Sequence, residues 1–299
     1  VASRGLGRRA WGIGVSVMGG ACATWQQLPT KHTADFEYVN GLAVYPDDPP
    51  GLSAAKGSGI WRSSDSGVTW SVVLPASVNG GCLDLAFRGD TNNDYLLASC
   101  GTFAQATVYR NATADTSAPW DAVLTETDMG RTSLAFASSN PSVAYALAAS
   151  NAPGPGGRFT QGLFAFYRSD DGGQTWHAQL RNSTSDRLSS LLLTNPITDS
   201  SAGCGGFDVV DDNMGWYSNT IAVDPRDENR VWAAGVDLFR SDDGGRSFRL
   251  ASFWWASRAP SSAPTDRPVI SFHPTHAGVM TRHPAAHNTR THAPLPTAH

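Results

Sequence analysis

The chain has 299 residues, 40% apolar and 16% charged, with a formal net charge of −4. That balance supplies no basic surface for nucleic acid, and no apolar run reaches the roughly 18 residues of a membrane-crossing helix. Thirty glycines, 18 prolines and 10 tryptophans point to a turn-rich all-β chain rather than a helical one.

In chain order, Arg4, Arg8 and Arg9 precede a mildly apolar stretch, Ala10 to Gly20, and then the small residues Ala21-Cys22-Ala23. This is the layout of a secretory leader over 1–23, or equally the unstructured end of a fragment. Thr24-Trp25-Gln26-Gln27-Leu28-Pro29 follows. It reads as a closing strand, either the outer strand that seals a ring or the last piece of a lost blade.

A repeat occupies 24–278. One of its elements recurs as GLAVYPDDP (41–49), DLAFRGDTN (84–92), SLAFASSNP (133–141), TIAVDPRDE (220–228) and VISFHPTHA (269–277). DYLLASC, VAYALAAS and RVWAAG follow three of these as short apolar strands. A second element is an ungapped octamer: Ser63-x-Asp65-x-Gly67-x-Thr69-Trp70, Ser169-x-Asp171-x-Gly173-x-Thr175-Trp176 and Ser241-x-Asp243-x-Gly245-x-Ser247-Phe248. Trp61-Arg62, Tyr167-Arg168 and Phe239-Arg240 precede them.

The octamer has the chemistry of a tight hairpin turn. Its Asp accepts backbone N–H bonds as Asx turns do, its Gly meets a need for positive φ, and its aromatic packs between sheets. These aspartates are therefore expected to be structural rather than catalytic. Apolar strand, turn, second strand and hairpin make four short strands, one blade of a β-propeller. Trp70, Trp120, Trp176 and Phe248 close four such blades, with a degenerate turn before Trp120. Residues 269–278 start a fifth, and 279–299, rich in His, Pro, Thr and Ala, read as a low-complexity tail. Propellers close at about 4 to 8 blades, so the expected ring is open.

Cys82 opens the run CLDLAF and Cys100 closes DYLLASC. A hairpin about Thr91 sets them face to face, as a disulfide or as two buried thiols. Asn111-Ala-Thr and Asn182-Ser-Thr are glycosylation sequons. Between Leu180 and Thr220 runs a long insertion without blade pattern, and long loops on rigid scaffolds are where sites sit.

The three octamers resemble the Asp boxes of sialidases, sortilin-type receptor domains and xyloglucan-active endoglucanases. The stretch from Gly215-Trp216-Tyr217 through IAVDPRDENRVWAAGVDLFRSDDGG resembles a sortilin-like secreted subset. The resemblance covers 24–278 and implies a propeller; function varies widely on that scaffold. It implies either a secreted module that binds a protein, peptide or glycan, or a glycoside hydrolase. The chain lacks the early Arg-Ile-Pro of sialidases. In the sortilin-like subset a His-rich stretch precedes the strand matching VISFHP, and here APTDRP (263–268) leaves Asp266.

Glycoside hydrolysis needs two carboxyl groups about 5 to 9.5 Å apart. Asp208, Asp211 and Asp212 in the insertion are the first supply, Asp35 and Glu37 the second; the alternative is an acidic solvated loop. Trp216, Tyr217, Trp254 and Trp255 are candidates to stack on a ligand, or else belong to the core. No cofactor or metal site is expected: the cysteines lack paired CxxC spacing, and Pro284 breaks the His283/His287 spacing.

Overall fold

The computed structural model describes residues 2–4, 13–16, 25–27, 36, 39–45, 51–76, 81–91, 95–113, 118–157, 159–183, 192–194, 213–252, 269–272 and 280–283. Nearly all the regular structure is β. A three-stranded antiparallel sheet comes first, β1 (Ala2–Arg4), β2 (Ile13–Ser16) and β3 (Trp25–Gln27). The sequence-predicted strand at Trp25 thus pairs with β2. The strands β1 and β2 fall inside the leader-like stretch.

Four antiparallel four-stranded sheets follow, each in simple chain order. The first holds β4 (Val39–Val44), β5 (Leu52–Lys56), β6 (Gly59–Ser63) and β7 (Ser71–Pro75). The second holds β8 (Cys82–Arg88), β9 (Tyr95–Cys100), β10 (Thr107–Asn111) and β11 (Asp121–Thr125). The third holds β12 (Met129–Phe136), β13 (Ala144–Ser150), β14 (Leu163–Ser169) and β15 (His177–Arg181), and the fourth β16 (Thr220–Asp224), β17 (Asp227–Ala234), β18 (Leu238–Ser241) and β19 (Arg249–Ser252). A two-stranded sheet, β20 (Val269–Phe272) with β21 (Met280–His283), ends the described chain. β21 carries strand structure into the stretch read from sequence as tail.

The first strands β4, β8, β12, β16 and β20 neighbour one another in series, which makes them the inner strands of an open β-propeller. The second strands explain why the sheets stack. β5, β9 and β13 are buried at every residue: both faces of β9 and β13 meet other sheets, while on β5 Ala55 faces the second sheet and Ala54 packs with Phe36. In β13 alternate residues turn opposite ways: Ala144, Ala146 and Ala148 pack on the second sheet, Tyr145, Leu147 and Ala149 on the fourth. The fourth strands β7, β11 and β15 are largely exposed, as an outer edge is.

The octamers form one turn built three times. Ser63 Oγ donates to Asp65 Oδ1 at 2.8 Å and accepts the Gly67 N–H at 2.8 Å. Asp65 also accepts the Thr69 N–H at 2.8 Å and its hydroxyl at 2.6 Å. Ser169/Asp171/Gly173/Thr175 repeats this set, as does Ser241/Asp243/Gly245/Ser247. At Gly245, φ is 89° and a Cβ would lie 2.2 Å from the Phe166 ring, so only glycine fits.

Each closing aromatic packs back on what precedes it. Phe248 meets Phe166 at 5.0 Å, Trp176 packs on the cluster between the second and third sheets, Trp120 joins residues of the first, and Trp70 meets Phe36 at 5.0 Å. Trp70 and Trp176 donate their indole N–H to Gly67 and Gly173 carbonyls.

Cys82 and Cys100, cross-strand partners on β8 and β9, form a disulfide. Among the described residues no helix is long and apolar enough to cross a membrane.

Candidate functional site

Up-and-down strand order sorts the connections onto two faces. Turns between first and second strands, and between third and fourth, share one face, which is where all three octamers lie. Turns between second and third strands, and the links from one sheet to the next, share the other. The long insertion, Asn182 to Asn219, opens on this second face. The octamer aspartates are therefore on the side opposite to it.

The second face carries an aromatic cluster. Phe103, in the β9–β10 turn, is 63% exposed, and Trp216 is 39% exposed. Exposure this large means that neither ring is serving the core. Their centroids lie 5.8 Å apart, and Trp216 and Tyr217 lie 5.3 Å apart, each pair tilted. The rings form an angled surface rather than a stack.

Their backbones are held firmly. The Phe103 turn is pinned by Gly101 N–H to Gly81 O at 2.9 Å, Ala106 N–H to Met129 O at 2.7 Å and Asn151 Nδ2 to Ala104 O at 2.9 Å. Gly215 N–H donates to Gln161 O at 2.7 Å, and Tyr217 and Ser218 N–H both donate to Met214 O. Arg131 Nη1, from β12, donates to the carbonyls of both Trp216 and Tyr217 at 2.9 Å. A surface fixed before a ligand arrives loses little entropy on binding.

The insertion is anchored where it meets the blades. Leu192, Leu193 and Thr194 are buried, with Leu193 at φ 67°, and Met214 N–H donates to Leu193 O. A Cβ on Gly162 would touch both Thr194 and Asn213, so the two segments meet there.

Among the described residues, the carboxylates on or near this face include Glu126 and Asp84. Glu126, in the β11–β12 link, receives both Arg181 Nη atoms at 2.9 Å and the Tyr167 hydroxyl at 2.8 Å. The Arg181 bond, opposed by partial burial, holds Glu126 below the usual carboxylate range, which suits a structural anion and not a proton donor. Asp84, on the inner strand β8, accepts N–H bonds from Leu85 at 3.0 Å and, across to β12, from Leu134 at 2.8 Å. Burial pushes its carboxyl up to about 6, against the pull of those N–H groups and of Arg131.

Of the residues singled out from sequence, Trp216 and Tyr217 come together here. Asp208, Asp211, Asp212, Trp254 and Trp255 lie outside the described residues, as do Asp35, Glu37 and Asp266. Asp211 and Asp212 directly precede buried Asn213. Asn111, one of the two sequon asparagines, is buried and bonded through Nδ2 to Ala118 O and through Oδ1 to Thr113 N–H. Sequence reasoning did not find Phe103, Arg131 or Asp84. Among the described residues no group of three or more His, Cys, Asp or Glu side chains gathers to hold a metal.

The chain is similar in fold to solved β-propellers. One is the GH74 enzyme of Niastella koreensis, at TM-score 0.51 and 17% identity over 76% of this chain and 32% of that one. Another is an ancestral GH74 enzyme, at TM-score 0.53 and 14% identity over 87% and 30%. A third is YCF48 bound to D1 peptide, at TM-score 0.42 and 15% identity over 80% and 60%. The chain spans about a third of the two GH74 enzymes' length. No family model matches it, and no curated protein does.

Proposed function

We propose that the chain is a ligand-binding propeller of the Asp-box, sortilin-like kind, taking a glycan, peptide or protein segment on the face that carries Phe103, Trp216 and Tyr217. The observation that carries this reading is the pair of exposed rings on pinned backbones. Exposed aromatics cost solvation, and a fixed cluster of them is a stacking surface for sugar rings or apolar side chains. The three matching octamers support the Asp-box assignment. The disulfide and the leader-like N-terminus support a secreted protein, since disulfides persist in oxidising compartments.

A second reading is a glycoside hydrolase, favoured by Asp84, whose carboxyl titrates in the range a general acid uses. Against it, both Asp84 oxygens are occupied by main-chain N–H groups.

The two readings separate on glycan and peptide arrays probed with the full chain, together with a reducing-end assay on every glycan retained. Retention without new reducing ends supports the binding module. Turnover of a retained glycan replaces it with the hydrolase.

A further inference from the structure

We propose that Leu193 is a positioning residue for the aromatic face: seated between Gly215 and Gly235, it fixes where Trp216 stands. This deepens the binding reading above and rests on it for its functional meaning; the packing itself is a property of the fold.

The backbone at Leu193 is an outlier. Its φ is 67°, in the left-handed region that leucine rarely adopts and glycine adopts freely. Such a conformation persists only where the surroundings hold it in place. Glycine would suit this backbone better, so the leucine side chain is the part with a role.

That side chain is buried in the apolar cluster between the third and fourth sheets, with Ala149, Leu163, Ile221 and Ala233. Two glycines make room for the residue. A Cβ on Gly235, just after β17, would lie 2.8 Å from Leu193 Cα and 3.2 Å from its N. A Cβ on Gly215 would lie 3.1 Å from Leu193 Cδ1 and 2.7 Å from the Ala149 Cβ. The fourth sheet thus meets the backbone of Leu193, and the segment that carries Trp216 meets its side chain.

The same segment is tied to Leu193 by hydrogen bonds. Met214 N–H donates to Leu193 O at 3.1 Å, and Tyr217 and Ser218 N–H turn back onto Met214 O at 2.9 and 2.6 Å. Residues 214–218 therefore wrap around one residue of the insertion. Truncating its side chain removes the apolar support of Gly215, the residue before Trp216. In this arrangement the insertion contributes to the face by setting the Trp216 ring against Phe103, 5.8 Å away.

The test is fluorine NMR of the full chain labelled with 5-fluorotryptophan, with the Trp216 and Trp70 resonances assigned by Trp216→Phe and Trp70→Phe. Leu193→Ala and Gly235→Ala should each shift the Trp216 resonance. Leu193→Met conserves side-chain volume and should leave that resonance near its wild-type position. Trp70, in the first sheet, should not move in any of the three. Either alanine variant suffices if the other fails to fold, because Gly235→Ala keeps the leucine and crowds its backbone instead. A Trp216 resonance unmoved in a folded alanine variant, a shift shared by Trp70, or a shift as large in Leu193→Met overturns the proposal. An array that retains nothing overturns the binding reading and leaves this result standing. A ligand held with equal affinity by Leu193→Ala, alongside an unmoved Trp216, overturns only the positioning role.

Discussion

Tyr145 donates its phenol hydrogen to the main-chain carbonyl of Glu228 at 2.6 Å, tying the third sheet to the fourth. The same oxygen accepts from Arg168 Nη1 at 2.8 Å, and Arg168 reaches on to Asn229 Oδ1 at 2.7 Å. An equivalent bond joins the second sheet to the third, from the Tyr95 hydroxyl to the Gly172 carbonyl at 2.7 Å. Adjacent sheets are thus linked by directional bonds at their octamer ends as well as by apolar contact.

Tyr145→Phe removes the donor and leaves both partners in place. The ring is fully buried, so its packing is kept and only the hydroxyl's two hydrogen bonds, to Glu228 O and from Arg168, are lost. Stability should fall by about 1–2 kcal/mol, read as a lower urea midpoint at unchanged m-value. An unchanged midpoint would show that the linkage carries no net stability.

The octamer turns should resist acid. Burial acts to raise the Asp171 carboxyl, but the bonds from Thr175, Ser169 and Gln174 outweigh it and set it at about 2. A carboxyl depressed below its ordinary value of 3.8 stabilises the fold above that pH and loses the contribution as pH falls through about 2. Asp171→Ala should lower the melting temperature at pH 7, and the gap from wild type should narrow as pH falls below about 3. A gap constant across that range would place the effect in something other than the carboxylate.

The Cys82–Cys100 bridge closes a separation of 18 residues. Constraining the unfolded chain over a loop of that length is worth about 3 kcal/mol. Replacing both cysteines with alanine should lower the melting temperature, and a reductant should lower that of the wild type toward the variant's. If reductant and substitution both leave melting unchanged, the bridge contributes nothing to the folded state.

What the sequence revealed follows from how local each feature is. The octamers were legible because their hydrogen bonds span two to four residues, so Ser63, Asp65, Gly67 and Thr69 carry the whole turn in one short word. The apolar second strands were legible because burial on both faces leaves a continuous run. Phe103 was not, being a single aromatic in a turn that nothing repeats; its meaning arises only when the insertion brings Trp216 beside it. Asp84 was equally hidden, since it sits in a strand motif shared by all blades and is buried only by sheets that pack from either side. The strand Met280–His283 lacks alternation and is defined by its pairing with Val269–Phe272.

The account stands most directly on the affinity of Phe103→Ala/Trp216→Ala for whichever array ligand the wild type retains, measured by calorimetry on samples with matching melting temperatures. Both rings are exposed, so their removal should leave melting unchanged while affinity falls about 10- to 100-fold. Equal affinity in the variant and the wild type would contradict the assignment of this face as the binding surface.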